Sequence, residues 1–321
     1  MSELIVKPFK EKVDLQICIP AYRREKELKT LHDSIRKSLV SINYNIYFLL
    51  NGASDNVKKL VLDELSLFEN TGVILFNENI KEDIFIWPLL NLPKGHFWII
   101  GDDDSITDKA NEVVERSLKN DLTILNYDLY DQALEKKLFG SFLEKYFKKQ
   151  SNYIDKKYLF SNLSEKLSFI SSIIIRSNII SKDFISIEPK SFQFGGMIYT
   201  SLADHDKDLK ISFEETICLK QRGNNISNDD KYVTDDIFIN DLRFFYLSML
   251  KIPVYRYSAI VKLIKATFLL TPRLLLRSSI EHRYPRTESF FIIDYIYFFV
   301  VKFFIRLIPK AFFIFLKSVF R

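Results

Sequence analysis

The 321 residues suffice for one large domain or for a domain with an appendage, and 47% hydrophobic residues supply ample core material. Eight glycines form no glycine-rich phosphate loop, and two cysteines, Cys18 and Cys218, form neither a zinc pattern nor a disulfide framework. The net charge of +5 is unevenly spread: residues 241–321 hold 14 Lys and Arg against 4 Asp and Glu, and residues 1–240 hold 32 against 37. A mildly acidic body thus carries a basic tail suited to an anionic surface.

The N-terminal "MSELIVKPFKEK" has no apolar core of a secretory signal, and Cys18 lies inside an apolar run, so a reducing compartment is expected. "LQICI" (15–19), closed by Pro20, reads as a buried strand. Residues 24–40 place Leu28, Leu31, Ile35 and Leu39 at helical spacing with charges between them. A strand over 46–50, a helix over 56–68, a strand over 72–78, a helical or irregular stretch over 82–92 and a strand in "HFWII" (96–100) follow. This alternation predicts a mostly parallel sheet covered by helices, in which ligands bind beyond the carboxyl ends of the strands. Further along, "LTILNYDLY" reads as a strand, 132–160 as mostly helix or loop, and "LSFISSIIIRSNII" as a strand with a following turn. "GGMIYTSLADHDKDL" reads as a helix after a Gly-Gly break, and "KISFEETICLKQRGNN" as a strand ending in a polar loop.

Residues 241–321 read as a separate tail, distinct from a domain over 1–240. In "FFIIDYIYFFVVKFFIRLI" (290–308) only Asp294, Lys302 and Arg306 are charged. On a helix, Lys302, Arg306, Lys310, Lys317 and Arg321 fall on one face among Phe, Ile, Leu and Val. Pro309 interrupts the run, so a helix lying in the membrane interface fits better than a span. Basic residues embedded in so much Phe and Ile argue against nucleic acid as the partner.

Three strand ends carry polar residues: "PAYRR", "NGASDN" and "GDDDS". Asp102, Asp103 and Asp104 repel one another at the mouth of a buried strand. A solvated turn or a cap for the helix beginning near Thr107 would account for one carboxylate. Three, after a strand near the middle of the sheet, suit Mg2+ or Mn2+ held against phosphate oxygens.

The ordered set "ICIPAYRREKEL", "NYNIYFLLNGASDN" and "FWIIGDDDSI" resembles the N-terminal half of the family 2 glycosyltransferases with the GT-A fold. The "GDDD" form is similar to the abequosyltransferase-like branch of bacterial surface-polysaccharide enzymes. The resemblance covers residues 13–125 well and 165–228 loosely. It implies a GT-A-like, Rossmann-type sheet. It also implies a nucleotide pocket lined by Pro20, Ala21, Tyr22 and Arg23, with Asn51 where the family has an Asp. Asp102, Asp103 and Asp104 match the DxD region that binds metal and sugar diphosphate, with Asp104 and Asp102 favoured as the pair. The family often has Asp at Gly101. Arg222, in "KQRGNN", would contact phosphate or acceptor.

Inverting members also need a carboxylate base for the acceptor hydroxyl. The matching place falls at Gly195-Gly196, where none stands. Asp204 and His205 follow within three helical turns and become the candidate base pair, with Glu188 behind them. Trp87 and Trp98 read as core more readily than as sugar-stacking platforms, and His32 and His96 as structural.

The expectation is therefore a metal-dependent glycosyltransferase at the cytoplasmic face of the inner membrane, held there peripherally. It would move a sugar from a nucleotide-diphosphate sugar to a lipid-linked glycan of lipopolysaccharide, O-antigen or capsule. Two alternatives stand beside it: a membrane-surface nucleotide-sugar-binding protein without catalysis, and a Mg2+-dependent phosphohydrolase. Haloacid-type phosphatases carry their aspartates after the first strand, whereas here the triplet follows about the fourth.

Overall fold

The structure is a computed structural model. It describes residues 2–267 except 9, 11, 132, 142, 144–146, 148–153, 165, 166, 168, 187–189, 206–208 and 223–240. The basic stripe from Lys302 to Arg321 and the candidate base Glu188 lie outside the described residues.

The chain divides into two compact units, Met1–Ser186 with Gln193–Asn225, and Ile187–Phe192 with Ile226–Arg321. The first is built on a ten-stranded sheet. Its strands are β1 (Ser2–Val6), β2 (Leu15–Ala21), β3 (Tyr44–Asn51), β4 (Thr71–Phe76), β5 (His96–Ile99), β6 (Ser105–Ile106), β7 (Leu122–Tyr130), β8 (Lys137–Phe139), β9 (Ile173–Arg176) and β10 (Ile211–Arg222). They lie in the order β1-β4-β3-β2-β5-β9-β7-β10-β6, with β8 paired to β7. Strands β2, β3, β4, β5, β7 and β10 run one way, and β1, β6, β8 and β9 oppose them.

Helices in this unit are α1 (Glu25–Ser38), α2 (Asp55–Asp63), α3 (Trp87–Asn91), α4 (Ala110–Ser117), α5 (Lys156–Leu163) and α6 (Gln193–Asp204). The periodicity of α1 buries Leu28, Leu31, His32 and Ile35, and its first and last turns carry Glu25 and Glu27, then Arg36 and Lys37, matching the helix dipole. At the start of α2 the Ser54 side chain accepts the Val57 N–H. Strands β2 and β3 are buried on both faces, as continuous apolar runs require between helical layers.

The chain first builds β2, β3 and β4 outward to one side and then crosses back to lay β5 on the other side of β2. The carboxyl ends of β2 and β5 therefore flank the point where the winding direction reverses, the place where such sheets leave a crevice. The Ile100 N–H donates to the Cys18 carbonyl at 3.0 Å and ties the two strands together there.

One sequence expectation is corrected here. Gly195 and Gly196 do not break a helix; α6 runs through both. Within the stretch 132–160, read as mostly helix or loop, the short exposed β8 folds back on β7. The strand read within 167–180 is β9, and a single turn of tighter helix at Ser177–Ile179 follows it, with another at Ile170–Ser172 before it.

The second unit is described over α7 (Leu242–Met249) and α8 (Arg256–Lys265). Phe192 stacks on Phe245 at 5.4 Å between centroids, and Ser191 donates to Asp241. Among the described residues no helix is long and apolar enough to cross a membrane.

Candidate nucleotide-sugar site at the carboxyl edge

β5 delivers the aspartates. Its Trp98 is fully buried and its indole N–H donates to the Ser171 carbonyl at 2.7 Å. The Ser171 hydroxyl in turn accepts the Gly101 N–H at 2.9 Å and bonds the Asp104 carboxylate. Trp98 is thus core, as its sequence suggests, and it fixes the residue that supports the turn. Trp87 likewise packs edge-on against Phe76, 5.2 Å between centroids.

Gly101 makes the turn close. A β-carbon there would stand 3.2 Å from both Asp103 Oδ1 and Asp104 Oδ2. The Asp104 N–H bonds back to the Gly101 carbonyl at 3.1 Å. Asp102 and Asp104 are each 6% exposed. Burial pushes the Asp102 carboxyl up to about 6, against the pull of Arg24. Burial, reinforced by the Asp103 charge, raises Asp104 well above the usual carboxylate range. Charged groups in this position are stable only with a counter-charge.

The loop after β2 supplies part of it. The Tyr22 N–H points at Asp102 Oδ2 (3.4 Å), and the Tyr22 carbonyl accepts the Ser54 N–H (2.8 Å), which joins the first two strand-end loops. Arg24 Nη1 lies 3.0 Å from Asp102 Oδ1 and 3.1 Å from Asp103 Oδ2. The Arg23 guanidinium instead covers the Tyr22 ring at 4.6 Å. From β10, Arg222 Nε donates to the Asp103 carbonyl at 2.5 Å, and the Arg222 N–H bonds Asp104.

Sequence-predicted residues Tyr22, Asp102, Asp103, Asp104 and Arg222 therefore belong to one connected cluster. Pro20 and Ala21 close β2 in register with Leu49 and Leu50. Asn51 ends β3 on the same edge, where its amide accepts the Ile80 N–H (2.8 Å) and donates to Asn79 (3.0 Å). It shapes the neighbouring loop.

Asp204 and His205 are not brought to this site. His205 Nε2 donates to the Ile179 carbonyl at 3.0 Å. Residues 177–179 follow β9 past the His96↔Arg176 pair, and the Ser177 N–H donates to Gly95. That is the amino end of β5, opposite the aspartates. His205 there closes the end of α6, whose Leu202 and His205 carbonyls accept from Lys156 Nζ at 3.2 and 2.9 Å. The expectation of a base in this pair is corrected accordingly.

Arg24 and Ser171 are the site residues that sequence reading missed. In "YRREK" nothing separates Arg24 from Arg23 until α1 is seen to begin at Glu25. Ser171 arrives 70 residues after Gly101 with no local signal.

Among the described residues no three His, Cys, Asp or Glu side chains converge to cage a metal ion. The donor set fits an ion of another kind. Mg2+ and related cations commonly take one or two carboxylates and complete their shell with phosphate oxygens and water. The carboxylates of Asp102, Asp103 and Asp104 are suited to that role.

No protein-family model matches the chain, and no curated protein matches it. Among solved structures, the chain is similar to S. aureus TarS 1–349, with a TM-score of 0.57 at 11% identity over 84% of this chain and 77% of that one. The same TarS fragment in complex with UDP-GlcNAc matches with a TM-score of 0.56 at 11% identity, covering 84% and 78%. The mannosyltransferase PcManGT from Pyrobaculum calidifontis, in complex with GDP-Man and Mn2+, matches with a TM-score of 0.50 at 8% identity, covering 86% and 78%. At these identities the likeness shows a shared fold. That fold is GT-A-like, a large mixed sheet with flanking helices.

Proposed function

We propose that this protein is a glycosyltransferase that takes a sugar from a nucleoside-diphosphate sugar. One observation carries the reading: two buried aspartates stand at the carboxyl end of the central parallel strand, at the winding reversal, with Arg24 and Arg222 converging on them. Solved structures of the same fold hold UDP-GlcNAc, or GDP-Man with Mn2+, and support it.

In this reading the loop Pro20–Arg24 and Asn51 wall the nucleotide pocket. Asp102, Asp103 and Asp104 offer the carboxylates that would hold the divalent ion. When bound, that ion neutralises the charge that grows on the departing diphosphate. Arg222 anchors the aspartate turn through Asp103 and places a fixed positive charge beside it. The acceptor is a lipid-linked glycan of bacterial surface polysaccharide, in the manner of the abequosyltransferase-like branch, and the enzyme works at the cytoplasmic face of the inner membrane.

Residues 241–321 would hold it there. On α8, Tyr257, Ile260 and Ile264 are exposed at helical spacing, with Arg256, Lys262 and Lys265 on the same short helix. Apolar groups flanked by cations suit an anionic lipid interface. Deleting residues 250–321 should release the protein from vesicles containing anionic lipid; a truncated chain that still sediments with them contradicts the anchoring role.

A second reading draws on Gly195 and Gly196, which put no carboxylate on α6 where an acceptor base is expected: nucleotide-sugar binding without catalysis. A thermal-shift screen of UDP-, CDP-, GDP- and TDP-sugars with Mn2+, followed by a turnover assay on each binder, tests both. Transfer or slow donor hydrolysis supports the enzyme. Binding with neither selects the second reading, and stabilisation by no donor contradicts both.

A further inference from the structure

The cation between the aspartates belongs to the chain itself. Arg24 Nη1 lies 3.0 Å from Asp102 Oδ1 and 3.1 Å from Asp103 Oδ2, so one nitrogen spans both carboxylates. A divalent ion bound to either of those oxygens would sit about 2.0–2.6 Å from it. An ion bridging Asp102 Oδ1 and Asp103 Oδ2 would be pressed against Nη1 with like charge. Arg24 and a bridging ion therefore exclude each other.

The remaining partners favour exchange over permanent blockade. Asp102 Oδ2 receives only a long 3.4 Å contact from the Tyr22 N–H among the hydrogen bonds described for it. The Arg24 side chain is 37% exposed and sits at the residue before α1, so it has solvent to move into. Its neighbour Arg23 is engaged on the Tyr22 ring instead. A +1 guanidinium offsets two carboxylates incompletely, and a +2 ion would do so fully. A guanidinium displaced at this edge lies beside the place where a diphosphate would arrive, and its fork of donors matches phosphate oxygens.

We propose that Arg24 is a displaceable counter-ion of the aspartate pair, which yields its carboxylates to a divalent cation and turns to the anionic diphosphate of the incoming nucleotide. This rests on the nucleotide-sugar reading of the site. The consequence is ordered loading. Free metal binds weakly because it must evict Arg24, and metal and nucleotide strengthen each other because the diphosphate receives the evicted side chain. Such coupling is reciprocal.

The test is a Mn2+ titration of the full-length chain, followed by the electron paramagnetic resonance signal of free Mn2+, on wild type, Arg24→Gln and Arg24→Lys. Thermal melts confirm that each is folded. Arg24→Gln should bind Mn2+ alone at least tenfold more tightly than wild type. Arg24→Lys, which keeps the charge, should stay within about threefold of wild type. Equal Mn2+ affinity in wild type and Arg24→Gln overturns the exchange, as does tightening by Arg24→Lys equal to that by Arg24→Gln. The same samples titrated with UDP, GDP, CDP and dTDP separate the two levels. If none of these nucleotides binds with or without Mn2+, the nucleotide-sugar reading fails. Nucleotide binding with unaltered Mn2+ affinity overturns only the role of Arg24.

Discussion

The two edges of the same sheet treat buried charge in opposite ways. At the amino edge Asp121, His96 and His205 each have a close protein partner. Asp121 pairs with Arg176 at 3.0 Å and accepts the Lys210 N–H at 3.0 Å, His96 Nε2 donates to the Asn120 carbonyl at 3.0 Å, and His205 is bonded to Ile179. At the carboxyl edge Asp102 and Asp104 are more deeply buried than Asp121, Asp102 shares its arginine with Asp103, and burial raises the pKa values of both Asp102 and Asp104. Structural polar clusters are closed by their own partners. A cluster held short of counter-charge costs stability and persists where a ligand completes it.

The sharpest break of this comparison is Asp104→Asn. Transfer should fall by roughly a hundredfold or more, while the melting temperature without ligand stays level or rises, because a poorly compensated carboxylate is gone. A large fall in stability would place Asp104 with the structural groups.

His32 sharpens the rule from a third place, neither edge. It is 1% exposed, lies between Phe48 and Phe68, and neither ring nitrogen has a hydrogen-bond partner. Burial, helped by Arg36, lowers its pKa from the ordinary 6.5 to about 4. The neutral ring is favoured in the folded state, so stability is full above about pH 6.5 and is lost as pH falls towards 4. The loss should be on the order of 1–3 kcal/mol. His32→Leu should flatten urea-unfolding stability between pH 6.5 and 4.5; an unchanged slope would assign the acid sensitivity elsewhere.

At the amino edge, Asp121→Ala should cost about 1 kcal/mol, since its ion pair is partly exposed, and should leave turnover per folded molecule unchanged. The smallest effect is expected from His205→Ala, with transfer within about twofold of wild type. A hundredfold loss there would move the chemistry to the wrong edge for this account.

Much of this was legible in the sequence, for physical reasons. Strands β2, β3, β4 and β7 are buried apolar runs, and such runs stand out from the charged helices between them. The two-residue β6 and the exposed β8 carry no periodic pattern. α6 tolerates Gly195 and Gly196 because it is buried along almost its whole length, so packing outweighs helix propensity. The aspartate turn announced itself by charge density. Arg24 and Ser171 did not, because their roles arise from strand order, and strand order places β5 beside β2 only after the chain has crossed back. His205 was suggested by chain proximity to Gly195, but a helix of 12 residues carried it to the far edge.

The most direct test is an anomalous difference map from crystals grown with Mn2+ and a nucleoside diphosphate. The account predicts a manganese peak roughly 2.0–2.3 Å from a carboxylate oxygen of Asp102, Asp103 or Asp104, with the diphosphate against it and Arg24 turned away from Asp102 and Asp103. A nucleotide bound in another cavity, with the aspartate turn still closed on Arg24, would contradict it.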